Sequence, residues 1–105
     1  MRDPHILSEV KSSLARLVEI YPGRAIEVRI PPYAAVQCGE GPRHTRGTPP
    51  NVIEMDAQTW LQLVAGETTW SEAFEAGRIS ASGVRANLSH LLPFSPPISK
   101  EFGPE

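Results

Sequence analysis

One cysteine, Cys38, in 105 residues excludes an intramolecular disulfide, so a cystine framework cannot hold this chain together. Positive charge is not in excess either. Ten Lys and Arg stand against 12 Asp and Glu, for a formal net charge of −2. That balance argues against a nucleic-acid binder, because neutralising several phosphates needs a basic face and usually a basic total. No apolar run approaches the roughly 20 residues of a membrane-spanning helix. The N-terminus has no charged segment leading into an apolar one, which together with the lone thiol predicts a reducing, cytoplasmic setting. No internal repeat is present, no motif calls for a cofactor, and His5, His44 and His90 are too scattered to form a metal-ligand spacing with one cysteine. A chain this short supports one domain, and folding at this size buries roughly 60–70% of the unfolded surface.

What is present is a series of well-marked elements. Asp3-Pro4 opens a helix, with Asp as the cap and Pro at the first helical position. Ile6, Leu7, Val10, Leu14, Leu17, Val18 and Tyr21 follow on one stripe, and Pro22-Gly23 ends it. From Ala25 to Ile30, Ile26, Val28 and Ile30 alternate with Glu27 and Arg29, the pattern of a half-buried strand. Pro31-Pro32 turns the chain into a second strand, Tyr33 to Cys38, which must pair antiparallel with the first because so short a connection cannot make a parallel crossover. A third strand resumes at Val52 to Met55.

Asp56 precedes an apolar run in which Trp60, Leu61, Leu63 and Val64 recur at helical spacing, and Gly66 ends it. Thr69 and Glu72 have the spacing of a capping box, with Trp70, Ala73 and Phe74 as an inward face and Gly77 as the stop. Arg78 to Ser82 alternates as a strand, Gly83 closes it, and Leu88, Leu91 and Leu92 predict a final helical face ended by Pro93. Asn87-Leu88-Ser89 matches a glycosylation acceptor, but it falls on this expected helix in a chain without an export signal, and is read as chance. Residues 95–105, with Pro96, Pro97 and Pro104, predict a loosely ordered tail after a single domain over residues 1–94.

This order of capped helices, Gly stops, short strand and Leu-rich end resembles the C-terminal half of the sterol carrier family, the small non-specific lipid-transfer domains. The expected fold is α+β: an N-terminal helix, a small mostly antiparallel sheet from residues 25–30, 34–38, 51–55 and 79–82, and three short helices on one face. The resemblance implies a ligand lying between sheet and helices, with Trp60, Trp70 and Phe74 as its walls. A plain core role for the same three residues is the alternative. Ligand pockets begin near ~300 Å³, and at ~24 cal/mol per Å³ an empty one would cost about 7 kcal/mol. Such a space must be occupied, hydrated at an open mouth, or closed by side chains.

The segment from Gly39 to Asn51 is the part that no folding rule demands. It gathers Arg43, His44 and Arg46 beside Gly39, Gly41 and Gly47, a combination of guanidinium groups and exposed backbone N–H groups suited to an anion. It lacks the Gly-Lys-Ser/Thr ending of a nucleotide-hydrolase phosphate loop. The alternative is a solvated connector whose arginines pair with Glu40 or water. Cys38, His44 and Glu40 would be needed as nucleophile, base and orienting carboxylate in a small enzyme, but a lone cysteine at a strand end is more often a buried hydrophobe.

The expectation is therefore a non-enzymatic carrier or binder of an apolar or amphipathic small molecule, such as a fatty acyl or sterol-like compound. Burial of its apolar body at roughly 25 cal/mol per Å² drives binding, and Arg43, His44 or Arg46 faces an anionic head group. A protein-interaction or accessory module with a filled interior is the alternative from another class, with a protein partner in place of the ligand. An enzyme built on the Cys38 region ranks last.

Overall fold

The computed structural model describes residues 3–41 and 51–94. Helix α1 spans Pro4–Ile20 and opens as its sequence dictates: the Asp3 carboxylate accepts from the backbone N–H of His5 at 2.8 Å and of Ile6 at 3.3 Å, with Pro4 at the first position. Strands β1 (Ile26–Ile30) and β2 (Ala34–Cys38) form the expected antiparallel hairpin, in which Val28 faces Val36. Strand β3 (Asn51–Glu54) lies on the other side of β1 and parallel to it, and β4 (Ser80–Ser82) pairs antiparallel with β3. The order is β2-β1-β3-β4. The sheet is mixed, with two of its three pairings antiparallel. A parallel pair needs a crossover of about a dozen residues or more, and the stretch between β1 and β3 is long enough to provide it.

Period-two alternation sends Ile26, Val28, Ile30 and Ile53 into the core, while Glu27, Arg29 and Glu54 stand on the opposite face. There Arg29 Nε donates to Glu27 Oε2 at 2.9 Å, and its Nη1 lies 3.9 Å from Glu54 Oε1. Helix α2 (Ala57–Ala65) starts where Asp56 accepts from Thr59 N–H at 2.8 Å and stops at Gly66, whose φ of +80° is the left-handed conformation that a side chain disfavours. Helix α3 (Trp70–Glu75) carries the full Thr69–Glu72 capping box. Gly77 and Gly83, the other two predicted stops, also have positive φ, +77° and +103°.

Beyond β4 the structure departs from expectation. Leu88, Leu91 and Leu92 make no α-helix; the segment forms a single 3-10 turn, Ser89–Leu91. The side chain of Asn87 accepts from Ser89 N–H at 2.8 Å and fixes the start. Pro93 holds Leu92 in extended backbone, φ −113° and ψ 144°, and fixes the end. Too little chain remains between them for a second turn, and Leu88 alone is fully buried. Among the described residues no helix is long and apolar enough to cross a membrane. The predicted tail, residues 95–105, lies outside the described residues.

Candidate functional site

The space between sheet and helices is occupied by the protein's own side chains. Trp60, Leu14, Leu17, Ile26, Ile53, Leu63 and Leu88 are buried there with at most 1% exposure. The Trp60 indole N–H donates to Ser13 Oγ at 2.8 Å, and Ser13 Oγ donates in turn to the Val10 carbonyl at 3.0 Å. Phe94 meets the same ring edge-on, with centroids 6.2 Å apart, while its own N–H donates to the Val64 carbonyl at 3.2 Å. Burying an indole N–H requires such a partner, since an unsatisfied donor would cost about 1–3 kcal/mol. Of the three fates open to the space, closure by side chains is what Trp60 and its neighbours achieve among the described residues.

Some large apolar side chains remain outside the core, Phe74 and Val84 among them. Between α3 and the segment that follows β4 runs an open groove of about 410 Å³ of mixed lining, apolar at Trp70, Phe74, Ala81, Val84 and Ala86 and polar at Ser71, Glu75 and Asn87. Trp70 is 9% exposed, Phe74 50% and Val84 fully exposed. Phe74 thus departs from the inward face expected of it, and helix geometry says why. At roughly 100° per residue the buried direction of α3 falls between Trp70 and Ala73, which leaves Phe74 about 70° to one side. The third predicted wall residue, Trp60, is not part of this groove.

The far wall of the groove is held by a buried amide. Asn51 Nδ2 donates to the Ala25 carbonyl at 2.8 Å, and Asn51 Oδ1 accepts from the backbone N–H of Arg85 at 2.8 Å. This ties the first residue of β3 to the start of β1 and to the groove segment. Neither Asn51 nor Val84 stood out in the sequence as a site residue. Val84 carried one signal, an apolar residue placed directly after a glycine turn with no helix or strand to bury it.

The predicted head-group residues Arg43, His44 and Arg46 lie outside the described residues. The described ends of their segment, Gly41 and Asn51, both adjoin Arg85: a Cβ built on Gly41 would stand 3.1 Å from Arg85 Nε and 2.9 Å from the Ala25 Cβ. Cys38 is fully buried, and desolvation pushes its thiol up to about 11. At neutral pH it stays protonated and is a packing group, not a nucleophile. Among the described residues no cluster of three or more His, Cys, Asp or Glu is placed to hold a metal ion.

Compared with known proteins, the chain matches a family model described as "Bacterial SCP ortholog" over residues 3–94. No curated protein matches it.

Proposed function

The chain belongs to the bacterial family of sterol carrier orthologs, and from that premise we propose that it is a non-enzymatic binder or carrier of an apolar or amphipathic small molecule, fatty acyl or sterol-like, seated in the open groove beside α3. The observation that carries this reading is the pairing of Trp70 with a half-exposed Phe74 across from a fully exposed Val84. A groove of about 410 Å³ falls within the ~300–1,000 Å³ of small-molecule sites. Ligand that covers those side chains gains about 25 cal/mol per Å² of apolar surface removed from water. Arg43, His44 and Arg46 are the proposed contacts of an anionic head group, supported by the approach of Gly41 and Asn51 to Arg85, whose chain neighbours Val84 and Ala86 line the groove.

Titration with a fluorescent fatty acyl probe tests this reading. Phe74→Ser should weaken binding about tenfold, with little change in fold because the side chain is half in solvent. Equal binding by the variant would remove the groove from the account. A second reading, an accessory module that docks on a protein partner, is favoured by the packed interior around Trp60; it takes precedence if the unaltered protein binds no acyl or sterol probe.

A further inference from the structure

We infer that Glu75 sets the charge preference of this groove: it holds the anionic end of an amphipathic ligand off the α3 side, admits a neutral end and favours a cationic one; the inference rests on the carrier reading. Helix geometry places the residue. Side chains four apart in a helix stand one above the other, and successive ones turn by roughly 100°. Trp70 and Phe74 therefore form one row along α3, and Ser71 and Glu75 a second row beside it; all four line the groove. The apolar row is the inner one, because the buried direction of α3 falls between Trp70 and Ala73. Glu75, exposed, stands on the solvent side of the half-exposed Phe74. A ligand whose apolar body covers Phe74 thus lies within reach of the charge on the neighbouring residue.

No countercharge balances it among the described residues that line the groove. Glu75 is the one ionisable group there, and the other polar ones, Ser71 and Asn87, are neutral. None of the ion pairs among the described residues uses Glu75. Two arginines follow in the chain, and neither lines the groove. Arg78 is turned to α2, where its Nη1 donates to Gln62 Oε1 at 3.2 Å, and the Nε and Cδ of Arg85 lie against Gly41. The apolar body of a bound ligand displaces water beside the carboxylate, so its charge acts through a medium that screens less than bulk water. An acid therefore seats with its carboxylate directed away from α3, whereas an amine gains from the reverse direction.

Dansyl-undecanoic acid, its methyl ester and the dansyl amine of matching chain length, titrated by fluorescence at low ionic strength into the unaltered protein, Glu75→Gln and Glu75→Lys, test the inference. Glu75→Gln should bind the acid about threefold more tightly, the amine about threefold more weakly and the ester unchanged. Glu75→Lys should carry both changes further in the same directions. In about 0.5 M salt the differences should shrink toward none, which a purely steric role for the side chain would not show. Equal changes for all three probes, or no change for acid and amine, would overturn the role of Glu75 and leave the groove standing. Failure of the unaltered protein to bind any of the three would overturn the carrier reading and this inference with it.

Discussion

Gly23 sits in the turn between α1 and β1 with φ +142°, and a Cβ added there would fall 1.9 Å from the Gly39 carbonyl oxygen and 2.3 Å from its carbon. Two neighbouring bonds draw the segments together: Gly39 N–H donates to the Tyr21 carbonyl at 2.8 Å, and Ala25 N–H to the Gly39 carbonyl at 3.0 Å. Gly23→Ala therefore combines a disfavoured backbone with a clash against atoms that cannot swing away. It should lose at least ~2 kcal/mol in urea melts, and an unchanged midpoint would refute the crossing. From the sequence, Pro22-Gly23 was legible as a helix stop. That a second glycine, 16 positions on, would press against it was not, because the contact is made only when the hairpin closes. Cys38 went the other way: a lone thiol at a strand end was expected to be a small hydrophobe, and burial with a thiol pushed up to about 11 agrees.

At the scale of elements, local chemistry was the more reliable guide. Asp56 and Thr69, Gly66 and Gly77 set the ends of α2 and α3 through bonds that span a few residues, so residue type and spacing were enough. Asp56 offers a pH test of this. Its carboxylate is held below the ordinary range by the backbone N–H and then the hydroxyl of Thr59, with a smaller contribution from the Arg78 charge, while burial opposes. A carboxylate with a depressed folded pKa stabilises the fold fully above its unfolded value, near ~3.9, and loses that contribution as pH falls toward the folded value. Asp56→Ala should cost about 1 kcal/mol at pH 7. Asp56→Asn keeps an oxygen for the cap, so it should stay close to the unaltered protein at neutral pH and lose less stability on acidification below about pH 5. Parallel acid profiles for the two proteins in denaturant melts would contradict the assignment. Where spacing misled, at Leu88, Leu91 and Leu92, helical periodicity was real but Asn87 and Pro93 left too few residues to use it.

For the whole molecule, the α+β architecture and the helix-covered face of the sheet followed from alternation in β1 and the stripe on α1. The parallel placement of β3 against β1 did not, since strand order is decided by which apolar faces meet after the chain has folded back. The proposed groove was legible only in part. Trp70 and Phe74, both of which line it, were singled out from the sequence, but spacing could not tell a ring at the centre of a buried stripe from one at its edge. It therefore could not say that Trp60 fills the interior while Phe74 reaches solvent.

The central claim is that ligand binds in the open groove and not between sheet and helices, and the two tryptophans report on it separately. The Trp60 indole N–H is locked to Ser13 inside the core, whereas Trp70 lines the groove. In an amide-proton spectrum of nitrogen-15-labelled protein titrated with a fatty acyl probe, the Trp70 indole resonance should shift progressively to saturation and that of Trp60 should stay in place. A shift of the Trp60 resonance with Trp70 unmoved would contradict the account and return the ligand to the interior.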